Sequence, residues 1–253
     1  MLHSAHSLRV PHGFFTRRGG VSDGPYASLN CSFSGGDARN AVLTNRARAA
    51  RAVGADPEHL VGVEQVHGAD VVEVTVPWPL GRGPRADAMV TNQPAIALGV
   101  ITADCAPILL ADPGAGVVGI AHAGWRGAVA GVIEMTVSAM LRLGSSPDAI
   151  VAAIGPCISQ KSYEVGADLR TAATHDEPDL ERFFAVGRRE GHWQFDLAGY
   201  CAARLSASGI RSVEVLGIDT AEGEAAFFSY RRQTLRGGGP IGHQISIIMP
   251  NSR

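Results

Sequence analysis

Three short apolar runs, at 96–101, 108–110 and 117–120, constrain this chain more than any other feature. Each is bounded by turn residues, as strands buried on both faces should be. Asp112-Pro113-Gly114-Ala115-Gly116 carries a tight-turn signature, so the second and third runs are expected to form a hairpin. Cys105 and His122 flank it. An even number of loop residues projects both from one face, directly opposite across two and diagonal across four. An odd number puts them on opposite faces. In the even case a thiol and an imidazole come within reach of one atom.

The glycine-rich stretch 123–127 follows His122 and leads into an expected helix, with Val129, Val132, Ile133, Thr136 and Met140 at helical spacing and Gly144 as its stop. A helix N-terminus beside Arg126 is a natural anion site, because free N–H groups and the guanidinium point the same way. A buried Trp125 with a surface Arg126 is the plainer alternative.

At 253 residues, 45% hydrophobic and 18% charged, with 31 glycines, the chain reads as one soluble globular α/β or α+β domain, 1–253. The formal net charge of −2 gives no electrostatic reason to expect nucleic acid. The four cysteines are widely spaced with no C-x-x-C pair, so reduced thiols in a cytoplasm are expected. The N-terminus lacks a signal-peptide pattern. No apolar run reaches membrane-spanning length. Neither a membrane nor a protein partner is evident.

Taken in order, residues 10–36 read as a strand and a long loop, whose Arg17 and Asn30 are candidate substrate contacts; ordinary surface-loop chemistry is the alternative. Asp37 is expected to cap a helix ending near Val53, with Arg39, Arg46, Arg48 and Arg51 on a solvated face. His67 falls at a strand end before a glycine, and alone would read as structural. Only the company of Cys105 and His122 raises it. The run 87–91 returns the chain to a sheet. A strand at 149–154 enters Gly155-Pro156-Cys157-Ile158, where Cys157 reads as an inert thiol. Residues 165–190 are polar and helical in places. Asp196 is expected to cap a helix through Ser206 that buries Leu197, Tyr200, Cys201 and Leu205. Strands follow at 213–218 and 245–249, and 227–232, aromatic and doubly basic, suits a pocket wall.

Two imidazoles and one thiolate make a good ligand set for a tetrahedral metal with an open fourth position. The same residues could act without metal, Cys105 as nucleophile and a histidine as its base. Scattered structural residues are the third reading, and spacing alone does not choose. There is no H-E-x-x-H and no deaminase-type H-x-E with P-C-x-x-C.

Six segments together add what spacing cannot: Phe15-Thr16-Arg17-Arg18-Gly19-Gly20-Val21-Ser22, Glu64-Gln65-Val66-His67-Gly68, Thr102-Ala103-Asp104-Cys105, 121–127 (AHAGWRG), 154–158 (IGPCI) and 227–232 (FFSYRR). In this order the chain resembles the YfiH-like family, also called the laccase-domain or multicopper polyphenol oxidase family and described as purine nucleoside phosphorylases. The resemblance implies an α+β fold of mixed sheets flanked by helices in αββα layers. It implies a zinc site on His67, Cys105 and His122, which are then also the catalytic residues. Nucleoside and phosphate are the implied partners; phosphate needs a cationic cradle, for which Arg17, Arg126 and Arg231 are candidates, and Asn30 and Gln65 complete the expected substrate contacts.

The implied activity is phosphorolysis of adenosine, inosine and methylthioadenosine, with adenosine deamination beside it. Peptidoglycan editing, an amidase activity on serine-containing muropeptide precursors, is the alternative. Copper-dependent polyphenol oxidation is weaker, since none of the nine histidines forms a His-x-His pair. Two positions depart from the family pattern. Asp219-Thr220 stands where Cys-Thr is frequent, and Gly242-His243 where Gly-Arg is common.

Overall fold

The fold is a computed structural model that describes residues 2–175 and 177–251. Its two large sheets carry the architecture. The first runs Leu2–His3, His12–Phe15, Gln244–Ile248, Ala97–Thr102, Leu60–Val61, antiparallel except for the last pair. The second runs Ser212–Val215, Val151–Ile154, Ala106–Asp112, Val117–Ala123, Ala88–Thr91, Val71–Glu73, parallel at its two outer pairs.

Period-2 alternation decides what each face buries. Leu109, Ala111, Val118 and Ile120 of the second sheet meet Phe14, Leu98, Val100 and Ile248 of the first, forming the core between sheets. Ile108, Leu110, Val117 and Ala121 point the other way, onto the helices Val132–Arg142 and Leu197–Ala207. On the far side of the first sheet, Ala97, Ile245 and Ile247 pack against Ala49 and Ala50 of the helix Arg39–Ala52. The layers are therefore α, β, β, α. With every central strand covered on both sides, the apolar runs are continuous rather than alternating.

Local sequence explains some of the boundaries. The Asp196 carboxylate accepts a hydrogen bond from the Gly199 N–H at 2.9 Å, the expected cap. The helix behind it buries Leu197, Tyr200, Cys201 and Leu205. The expected helix after His122 is instead two, Trp125–Val129 and Val132–Arg142. Gly131 separates them at φ 94°, a left-handed value that only glycine adopts freely.

Two further expectations are corrected. Asp37 does not cap the Arg39–Ala52 helix, whose N-cap is Ala38. Its carboxylate accepts from Ser22 Oγ at 2.7 Å and Asn30 Nδ2 at 2.9 Å, bracing the 16–37 loop. Arg46 is buried, donating to the Cys31 carbonyl at 2.8 Å, so the helix's arginines are not one solvated face. The 165–190 region holds the helix Ala167–Thr174, but part of it also joins a small antiparallel sheet of Glu164–Val165, Trp193–Phe195 and Phe184–Val186.

Candidate metal centre

Pro107 pairs with His122 and Asp112 with Val117, so residues 113–116 form a four-residue connection. Continuing that register sets Cys105 opposite Gly124, one diagonal step from His122 and on the same face. The chain also passes from the first sheet to the second between Val61 and Val71, and again between Thr102 and Ala106. His67 lies on the first crossing and Cys105 on the second.

His67 Nε2 is 3.8 Å from Cys105 Sγ. The two imidazole rings stand at 79° with centroids 4.8 Å apart. One donor atom from each of His67, Cys105 and His122 lies within 4.8 Å of the others. Tetrahedral zinc sets neighbouring S and N donors roughly 3.3–3.6 Å apart, so each donor needs to move by less than about an ångström to share one ion.

Asp87, which the sequence did not single out, holds the cluster together. Its fully buried carboxylate lies 2.8 Å from His122 Nδ1. It also accepts from the N–H groups of Val66, His67 and Gly68 at 3.1, 2.9 and 2.7 Å. Three converging N–H groups hold His67 at φ 60°, a conformation few non-glycine residues adopt. The carboxylate at Nδ1 fixes the proton there and leaves Nε2 of His122 as the ligand atom. Burial raises the Asp87 pKa, but His122 and the loop N–H groups more than offset it and hold the carboxyl below its usual range.

Burial would push the Cys105 thiol up; the charge of His122 and hydrogen bonds from both imidazoles bring it down to about 6. Burial would likewise lower His122, but the Cys105 thiolate and Asp87 carry it up to about 9. The other thiols differ. Burial raises Cys31 to about 12 and moves Cys157 and Cys201 upward too. Cys105 is thus the thiolate of the four at neutral pH, as a metal ligand or nucleophile must be. Gly124 closes the cluster from behind, because a Cβ there would lie 2.8 Å from His67 Cδ2 and 3.0 Å from Cys105 Sγ.

The cluster opens into a cavity of about 720 Å³. Gln65, Arg126 and Arg231 line it. Arg126 lies 4.5 Å over the Trp125 ring, and Arg231 donates to the Glu164 carbonyl at 2.8 Å. Both ends of the Gln65 amide are bonded to the Ile101 backbone at 2.8 Å. The remaining two expected contacts lie elsewhere. Arg17 lines a neighbouring cavity of about 190 Å³, stacked 4.4 Å over Phe228. Asn30 is fully buried and accepts from the backbone N–H of Ser32 and His243.

Asp104, beside Cys105, was also missed. Buried at φ 93°, it accepts from Thr220 Oγ1, Ser229 Oγ and the Arg231 N–H at 2.6, 2.9 and 2.6 Å. It thereby ties the Cys105 crossing to the 220–231 segment. The expectation of a pocket wall at 227–232 is met at Tyr230 and Arg231, while Phe227 and Phe228 are buried. Of the two departures, Asp219 is held by Ser159 and Ser162 hydroxyls at 2.6 Å, whereas His243 lines the main cavity.

Fold and site together define a two-sheet αββα protein whose main cavity is lined by a thiol and two imidazoles close enough that they could share one metal ion. Residues 11–251 match the family described as multi-copper polyphenol oxidoreductase laccase, and the chain belongs to that family. It is 45% identical over 230 residues to the purine nucleoside phosphorylase of Deinococcus radiodurans, covering 90% of this chain and 86% of that one. To the purine nucleoside phosphorylase of Streptomyces coelicolor it is 42% identical over 228 residues, covering 89% and 91%. Among solved structures it resembles the Neisseria meningitidis protein NMB0706, with TM-score 0.88 and 33% identity over 100% of this chain and 99% of that one. YlmD from Geobacillus stearothermophilus gives TM-score 0.83 at 31% identity, covering 95% and 92%.

Proposed function

We propose that this protein is a zinc-dependent purine nucleoside phosphorylase acting on adenosine, inosine and methylthioadenosine, with adenosine deamination as a second activity of the same cavity. The observation that carries the reading is the Cys105 thiolate and two imidazoles lining a cavity that also displays Arg126 and Arg231. The relatives' names supply the substrate class.

His67, Cys105 and His122 would hold the ion, which supplies Lewis-acid chemistry at neutral pH when bound. Asp87 keeps the His122 proton on Nδ1, so the ring presents Nε2 throughout turnover. Phosphorolysis replaces the ribose C1′–N bond by a C1′–O bond to phosphate, releasing the purine base and ribose 1-phosphate. The incoming dianion needs fixed positive charge, which Arg126 and Arg231 place on the cavity wall. We read the chain as a single domain, a reading supported by His67 and His243 reaching one cavity from distant parts of the sequence. We place it in the cytoplasm, a reading that four free cysteines support; among the described residues no helix is long and apolar enough to cross a membrane.

One ion is favoured over a multicopper centre; zinc is our reading of that ion, because a thiolate and two imidazoles with an open fourth position suit it, and the same three side chains could also hold a single copper. Among the described residues this is the one group of three or more such side chains able to share an ion, and a multicopper centre needs several. Incubating the metal-loaded protein with adenosine, with and without phosphate, tests the reading. Adenine and ribose 1-phosphate that form only with phosphate support phosphorolysis, and inosine supports deamination. Turnover of a serine-containing muropeptide with none of adenosine would replace this reading by the amidase.

A further inference from the structure

His243 shares the cavity with the metal cluster but is not part of it. Its backbone is fixed on both sides. The His243 N–H donates to Asn30 Oδ1 at 2.9 Å, and its carbonyl accepts from the Cys31 N–H at 2.9 Å. Asn30 is itself fully buried and braced by Asp37 and by Asn45, whose amide donates to the Asn30 carbonyl at 2.8 Å. The imidazole is thus mounted on a rigid loop network.

The ring's two nitrogens are not equivalent. Nδ1 is buried and has no hydrogen-bond partner among the described residues. A buried lone pair without a partner costs less than a buried N–H without one, so the proton belongs on Nε2. Burial, followed by the nearby charge of His122, lowers the ring's pKa to about 4. The imidazole is therefore neutral. An uncharged single donor contributes little to holding a phosphate dianion beside Arg126 and Arg231, but it matches a neutral acceptor such as a purine ring nitrogen or 6-oxo group.

We propose that His243 presents a fixed Nε2–H donor to an acceptor atom of the substrate's purine base, making it a specificity-determining residue of the cavity. The proposal rests on the nucleoside reading above. The experiment uses metal-loaded wild type, His243→Ala and His243→Gln, the last of which restores an N–H donor. Loss of one hydrogen bond to substrate predicts a nucleoside KM raised about tenfold in His243→Ala. Phosphate KM and metal content should stay at wild-type values, and His243→Gln should recover most of the nucleoside affinity. Adenosine analogues in which one purine ring nitrogen is replaced by carbon identify the acceptor. For that analogue the wild type and His243→Ala have equal KM.

An unchanged nucleoside KM in His243→Ala, a rise in phosphate KM instead, or no rescue by glutamine overturns the proposal. Should the alanine variant not fold, the wild type labelled with ¹⁵N-histidine decides. The His243 ring is expected as the Nε2-protonated tautomer, with an Nε2 resonance that moves on adding nucleoside; a proton on Nδ1 or an unmoved resonance overturns it. If the wild type converts no nucleoside at all, the proposed function fails first. If it does and the variants behave as wild type, only the role of His243 fails.

Discussion

At the scale of single residues, Asp87 decides more of the site than the ligands do. One carboxylate orients His122 and pins the turn that carries His67. Replacing it by alanine removes both supports, and loss of such a partner typically lowers metal affinity by about 10–100-fold. Chelator competition on Asp87→Ala and Asp87→Asn measures this, with the alanine variant the weaker binder. Cys105 gives a second residue-scale prediction. Below about pH 6 its thiol is protonated and above it ionised. Alkylation of the metal-free protein should therefore rise with pH through a midpoint near 6, whereas metal affinity should fall as pH drops through about 9, where His122 gains a proton, and more steeply below about 6, where Cys105 gains one too. Cys31, Cys157 and Cys201 should stay unmodified until the protein unfolds. A midpoint in the ordinary thiol range would remove the electrostatic account of the cluster.

How legible these residues were follows from the signals they carry. Cys105 and His122 are tied by hairpin arithmetic, so their shared face was readable once an even connection was assumed, and the four-residue connection makes them diagonal. Asp87 and Asp104 are lone acids at the edges of apolar runs. Nothing periodic marks them, because their partners are backbone N–H groups and hydroxyls from distant segments. Arg46 was misjudged because one arginine among four on a helix looks like its neighbours until the Cys31 carbonyl is beneath it.

At the scale of elements, the helix Leu197–Ala207 behaved as its pattern dictates, from cap to buried face. Asp196→Ala should cost about 1 kcal/mol through loss of the Gly199 hydrogen bond, read as a lower thermal midpoint with metal content unchanged. The short helix Trp125–Val129 is the opposite case. Gly124→Ala would drive a methyl group into His67 and Cys105, so its metal affinity should drop far more than its secondary structure changes. Circular dichroism and metal titration separate the two. The small sheet containing Phe184–Val186 escaped notice because two- and three-residue strands in polar sequence show no alternation to count.

For the whole molecule, the αββα layering rests on two interleaved faces. Leu109 lies in the core between the sheets, and Leu109→Ala should cost about 2–5 kcal/mol, measured by denaturant unfolding, if that interior is as closely packed as the layering requires. That the central strands are covered on both sides was readable from their uninterrupted apolar runs, while the αββα order of the layers was an implication of the family resemblance. Which segments turn from one layer to the other was not readable, since those stretches are loops without a repeating pattern.

His67 and Cys105 each ride on a stretch of chain leaving one layer for the next, while His122 is anchored in the destination layer. An ion gripped by all three would stitch that seam shut, so loading it should stiffen the corner where the two layers exchange strands. Hydrogen exchange at 62–70 and 103–105 would slow on loading, and the same corner would be the first to breathe when the ion is stripped away.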